Sequence, residues 1–117
     1  MKQPVIGPKS YKFALRIVNA YIFLSKEKQE FVLSKQLLRS GTAIGALISE
    51  SKFAQSKADF INKMHIALKE ANETKYWINL LHDSRYITPK MYDSIAYEIE
   101  EIICILASIV KTSKNNS

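Results

Sequence analysis

The chain has 117 residues, of which 47% are hydrophobic and 24% charged, and its 17 lysines and arginines outnumber 11 aspartates and glutamates to give a net charge of +6. This length predicts a single domain over residues 1–117, and without an apolar run of roughly 18 residues or a signal peptide we expect a cytoplasmic protein that does not enter a membrane. The single cysteine, Cys104, excludes an internal disulfide and is predicted to be a core thiol because isoleucines surround it in the sequence.

Apolar periodicity predicts two helices in the first half of the chain. The first covers about residues 10–28 and the second about residues 35–53. Ser10 and Ser34 are predicted to be their N-caps, since a serine hydroxyl accepts a hydrogen bond from a free backbone N–H group at a helix start.

The second helix contains two of the three glycines of the chain. Gly41 and Gly45 lie one turn apart, and each interior glycine costs about 1 kcal/mol relative to alanine. In a membrane such a pair suggests dimerising helices, but Arg39 and Glu50 flank it here. The pair therefore predicts close packing against another helix of a bundle.

Two further helices are predicted in the second half. The third covers about residues 57–83 after Ser56 as N-cap, and the fourth covers about residues 89–111 after Thr88 as N-cap, with Pro89 at the first helical position. Because long helices joined by short connections favour antiparallel neighbours, the predicted fold is all-α, an antiparallel up-down-up-down four-helix bundle.

The third helix carries a second, mixed face beside its apolar stripe. This face consists of Ile66, Glu70, Glu73 and Trp77. Contact with another chain explains it, and so does a tryptophan buried at the rim of the bundle. We take these four residues as the candidate oligomer interface.

Residue types that could support catalysis or metal binding are not arranged for it. His65 and His82 lack a partner at helical spacing, and Glu70 and Glu73 lack the Glu-x-x-His pairs of a di-iron bundle. We therefore predict no catalytic residue, no metal, no cofactor and no enzymatic activity.

Basic residues form the candidate binding surface. Up to Lys57 the chain has ten basic and three acidic residues, an asymmetry that permits contact with nucleic acid. A charged, solvated exterior explains the same residues. The candidate nucleic-acid-binding residues, chosen for their helical spacing, are Lys9, Lys12, Arg16, Lys35, Arg39 and Lys52.

Residues 37–46, 54–63 and 66–77 resemble the four-helix bundle proteins named for the intervening sequences of bacterial 23S rRNA genes. The resemblance implies a small basic protein that assembles as a ring, a homopentamer, whose biochemical function is largely undefined. It also implies kinship with the accessory variability determinant of diversity-generating retroelements, a pentameric barrel that binds nucleic acid and a reverse transcriptase. Leu47 stands where the family usually has asparagine and Ser49 where it usually has alanine, which puts a polar role of that asparagine in question.

The leading functional hypothesis is a non-enzymatic oligomer that associates with RNA or DNA backbone through its basic surface. The alternative is an oligomeric protein-interaction scaffold with no nucleic-acid ligand. Under either hypothesis the partners include other copies of the chain, and the resemblance adds a reverse transcriptase or another protein.

Overall fold

The computed structural model describes residues 3–115, with side chains from residue 5 onward, and this range contains four α-helices and no strand. The helices are α1 (Gln3–Lys26), α2 (Leu33–Ser51), α3 (Lys57–Asp83) and α4 (Pro89–Asn115). Helices that are consecutive in sequence share the large interfaces, and α1 and α4 share the smallest one. The predicted all-α four-helix bundle is confirmed. None of the helices in the described range combines the length and hydropathy needed to cross a membrane.

Helix α1 begins about two turns earlier than its sequence pattern predicts. Ser10, the predicted N-cap, is 1% exposed inside the helix, and its hydroxyl donates a hydrogen bond to the Gly7 carbonyl oxygen at 2.9 Å. The prediction of this cap was wrong because the helix continues through Gly7 and Pro8, two residue types that normally disfavour a helix. Here Pro8 lies near the helix start. The free energy gained by completely burying Ile6 offsets the cost of the backbone hydrogen bond that the proline removes.

The N-terminus of α2 is capped by Glu30, a residue that the sequence pattern does not indicate as a cap. The Glu30 carboxylate accepts hydrogen bonds from the N–H groups of Val32, Leu33 and Ser34 at 3.1, 2.9 and 2.7 Å. Ser34, the predicted N-cap, lies inside the helix, and its hydroxyl donates to the Glu30 carbonyl oxygen at 2.7 Å, so this prediction was wrong too. Burial alone would raise the pKa of the Glu30 carboxyl, but the three backbone hydrogen bonds hold it below its ordinary value.

Helices α3 and α4 begin with the predicted caps. The Ser56 hydroxyl accepts a hydrogen bond from the Asp59 N–H group at 3.0 Å, and the Thr88 hydroxyl accepts one from the Met91 N–H group at 3.1 Å. Helix α3 matches its predicted range at both ends, and α4 continues one turn beyond the predicted end. The end of α1 and both ends of α2 lie within two residues of the predicted positions, which is the usual uncertainty of a helix boundary.

The two glycines of α2 have different steric surroundings. A Cβ atom added at Gly41 would lie 2.8 Å from Ile17 Cγ1 of α1, closer than non-bonded carbon atoms approach. A Cβ atom added at Gly45 would lie 3.5 Å from the Ser10 carbonyl oxygen, an ordinary van der Waals distance. Close approach of α1 and α2 therefore depends on the missing side chain at Gly41.

Candidate nucleic-acid interface

Two of the predicted nucleic-acid-binding residues face carboxylates of α4. Lys9 Nζ lies 3.0 Å from Glu101 Oε1, and Arg16 Nη1 lies 2.7 Å from Glu98 Oε1. A phosphate group would have to compete with these carboxylates for the same cations. Lys9 and Arg16 are therefore weaker candidates than their sequence spacing indicates.

A third candidate, Arg39, joins α2 to the mixed face of α3. Its guanidinium lies 3.2 Å from Glu70 Oε1 and also pairs with Glu73, while Trp77 Nε1–H donates a hydrogen bond to Glu73 Oε2 at 3.0 Å. The hydrogen bond to Glu73 raises the pKa of Arg39, and the hydrogen bonds from Trp77 and Arg39 lower the pKa of Glu73. One predicted binding residue and three predicted interface residues thus form a single network within the chain.

The four predicted interface residues, Ile66, Glu70, Glu73 and Trp77, are all half-buried within one chain. Trp77 packs against the hydrophobic core, as expected for a residue at the rim of the bundle. Their contact with a second chain stays a prediction.

The other three basic candidates, Lys12, Lys35 and Lys52, are exposed and form no ion pair within residues 3–115. They do not form one surface. Lys52 directly follows α2 and Lys12 lies in the first half of α1, so both belong to the half of the bundle where α1 begins and α2 ends, whereas Lys35 lies in the first turn of α2, about 25 Å from Lys52 along the helix axis. Only Lys12 and Lys52 remain as a candidate pair.

A groove of about 570 Å³ lies between α1 and α2 in this half of the bundle. Tyr11 and Lys52 line it, and the remaining lining is mostly small: Gly7, Pro8, Ser10, Ala14, Thr42, Gly45, Ala46, Ile48 and Ser49. Lys52 is the one charged residue among the described lining residues. The groove therefore offers an apolar floor with a positive charge and an aromatic ring at its edges.

The outer face of α1 is apolar, and the sequence pattern does not distinguish this face from the inner face that packs into the core. Leu15, Val18 and Ile22 are 50%, 38% and 45% exposed. They follow one another at intervals of three and four residues, the spacing of a seam that packs against another helix. That spacing was visible in the sequence, but it overlaps the stripe of Phe13 and Ile17 that fills the core.

The remaining reactive side chains do not converge. Within the described range, no three His, Cys, Asp or Glu side chains are placed to hold a metal ion. His65 is exposed, and the His82 ring stacks on Tyr92 with the ring centroids 4.0 Å apart. The prediction of a core thiol was wrong, because Cys104 is exposed on the outer face of α4 while its neighbours in the sequence turn inward.

Comparisons with known proteins fit this architecture. The family model described as 23S rRNA-intervening sequence protein matches residues 3–108, whereas no curated protein matches the sequence. The chain is 58% identical, with a TM-score of 0.92, to a crystal structure of a protein of unknown function from the S23 ribosomal protein family of Bacteroides thetaiotaomicron, and the match covers 95% of this chain and 99% of the other. The chain therefore belongs to the 23S rRNA-intervening sequence protein family.

Proposed function

We propose that this protein is a non-enzymatic, self-associating bundle that contacts the backbone of RNA or DNA through the half of the bundle where α1 begins and α2 ends. The observation that supports this proposal is that Lys12 and Lys52, in the same half of the bundle, are free to bind an anion. Both are exposed, and neither has a carboxylate partner within the described residues. Lysines of this kind can neutralise phosphates without first losing an ion pair.

Self-association would strengthen the interaction. One chain carries a net charge of +6, and five copies in the ring that the family resemblance implies would carry about +30, which raises the local concentration of a polyanion. We place this assembly in the cytoplasm, where nucleic acids are accessible to it.

The proposal is tested by a fluorescence-anisotropy titration of a structured RNA at low salt. A variant with Lys12→Glu and Lys52→Glu should lose at least tenfold in affinity, because two phosphate contacts become repulsive. The matched control, Lys26→Glu with Lys69→Glu, makes the same change in net charge at two other exposed lysines that form no ion pair in residues 3–115. It should retain most of the affinity.

Two results would contradict the proposal. The first is an absence of binding to any nucleic acid at low salt. The second is an equal loss of affinity in the two double variants, since this would show a general effect of net charge without a binding surface.

A protein-interaction scaffold is the second candidate function, and the exposed seam of Leu15, Val18 and Ile22 favours it. Apolar side chains at heptad spacing on an outer face are typical of a helix that packs against a partner. Co-purification of one defined protein that persists after nuclease treatment, and that is lost in Leu15→Ser, would support this candidate over nucleic-acid binding.

A further inference from the structure

We infer that the groove between α1 and α2 binds unpaired bases of single-stranded nucleic acid, with Tyr11 and Phe53 as stacking surfaces. This inference rests on the proposed function and specifies its ligand. It depends on three features of the half of the bundle where α1 begins and α2 ends: the groove, two exposed aromatic rings and Lys52, a groove-lining lysine without an ion-pair partner in the described range.

The groove has the shape and polarity for a base and its sugar. Its floor is formed by small residues of two packed helices, which leave about 570 Å³ unfilled. Among its described lining residues none is acidic, so a phosphate at the edge meets no like charge. The small residues only provide the space, and the contacts that hold a ligand come from the rim.

The two aromatic rings in this half of the bundle are not used by the fold. Tyr11 is 66% exposed at the edge of the groove, and Phe53 is 83% exposed in the connection that follows α2. Phe53 is the most exposed large apolar side chain of the described residues. Every base has a face that can stack on such a ring, whatever the sequence.

Lys52 is the lysine placed near both rings, because it lines the groove together with Tyr11 and immediately precedes Phe53 in the chain. Lys12 follows Tyr11 in the chain but points about 100° further round α1 and is not a described lining residue of the groove. Exposed aromatic rings alternating with cations are the arrangement that binds single strands, because the rings stack with bases while the cations contact the backbone between them.

The same features are unsuited to a double helix. In a duplex the bases are stacked on one another and their faces are not available to a side chain. Recognition of a duplex would need a helix or strand that enters a groove of the nucleic acid, whereas here the concave surface belongs to the protein.

Tyr97 provides a matched control. It is 72% exposed, like Tyr11 and Phe53, but it lies on α4 beside Glu98 and Glu100 in the sequence. Helix α4 contributes no residue to the described lining of the groove, so replacement of Tyr97 should not affect binding.

The test compares labelled single strands of DNA and of RNA, about 16 nucleotides long, with the duplex of the same sequence by fluorescence anisotropy. We expect the single strands to bind more tightly than the duplex. Tyr11→Ala and Phe53→Ala should each lower the affinity for the single strands about five- to a hundredfold, the effect of losing one stacked base. Tyr97→Ala should leave it unchanged, and circular dichroism should show the same helix content in all three variants.

Lysine replacement provides a second measurement. Lys52→Ala should weaken single-strand binding and reduce the slope of log affinity against log salt by about 0.7, the share of one phosphate contact with a single strand. Lys69→Ala, an exposed lysine of α3, should leave the slope unchanged.

The results that would contradict this inference differ from those that would contradict the proposed function. Duplex binding as tight as single-strand binding, or undiminished binding in both aromatic variants, would overturn this inference and leave the proposed function intact. Failure to bind any nucleic acid at low salt would overturn both. Conversion of the assembly to monomers by Tyr11→Ala, with undiminished strand binding, would show that the groove is a protein contact and overturn this inference.

Discussion

At the scale of single residues, the glycines of α2 make a direct test of helix packing. Gly41→Ala should destabilise the protein by about 1–2 kcal/mol, because overpacking against Ile17 costs about 1–3 kcal/mol and better helix propensity returns up to about 1 kcal/mol. Gly45→Ala should be neutral or stabilising by up to about 1 kcal/mol, since its new Cβ atom has room. Urea denaturation followed by Trp77 fluorescence measures both. Equal effects of the two variants would contradict this steric difference.

Glu30 should make the stability of the bundle depend on pH. Its pKa is lower in the folded state than its ordinary value of 4.5, so its stabilising effect is complete well above pH 4.5 and is lost as the pH falls through the folded-state pKa. Glu30→Gln should therefore cost about 1 kcal/mol at pH 7, the usual cost of a lost N-terminal cap. The difference from the unchanged protein should shrink as the pH falls below 4.5 and the carboxyl becomes protonated. A constant difference in urea denaturation from pH 7 to pH 3 would argue against this role.

Residue-level prediction from the sequence succeeded where a cap is local and failed where it depends on a neighbouring segment. Ser56 and Thr88 accept hydrogen bonds from N–H groups three residues ahead, so spacing alone identifies them. The capping of α2 by Glu30 requires a turn that returns the carboxylate to three successive N–H groups. No spacing rule for serine caps would find it.

At the scale of helices, the network around Arg39 fixes α2 against α3. Arg39→Gln should lower the free energy of unfolding by about 1 kcal/mol, because two partly exposed ion pairs are lost. It should change nucleic-acid affinity little, since Arg39 is already occupied by carboxylates. A double-mutant cycle with Glu73→Gln measures the coupling. A large loss of RNA affinity with unchanged stability would return Arg39 to the binding surface.

Helix periodicity predicted the four elements and their order but not the partners of their polar side chains. The spacing of Lys9 and Arg16 indicates a shared face, and both indeed face one neighbour, α4. Helix α4 places Glu101 opposite Lys9 and Glu98 opposite Arg16. This arrangement depends on how the helices pack, and the periodicity of one helix does not predict it. The basic stripe predicted on α1 is for this reason mostly a set of ion pairs within the bundle.

At the scale of the whole molecule, α1 has apolar side chains on opposite faces, which is unusual for an outer helix of a monomer. The inner face packs into the core through Phe13 and Ile17, while the outer face exposes Leu15, Val18 and Ile22. The segment of α1 from Leu15 to Ile22 is expected to be covered by another chain, which leaves Tyr11, one turn nearer the helix start, accessible as the inferred binding of single strands requires. The assembly would then use α1, in addition to or in place of the mixed face of α3.

Light scattering decides between these faces. The chain of 13.4 kDa should have a mass of about 67 kDa as the pentamer that the family resemblance implies. Leu15→Ser with Val18→Ser should reduce this mass towards that of the monomer with little loss of helix content, because both positions are substantially exposed in the isolated chain. If instead Ile66→Ser dissociates the assembly and the α1 variant does not, α3 provides the interface. A monomeric mass for the unchanged protein at micromolar concentration would exclude self-association, and the outer face of α1 would then need a different partner.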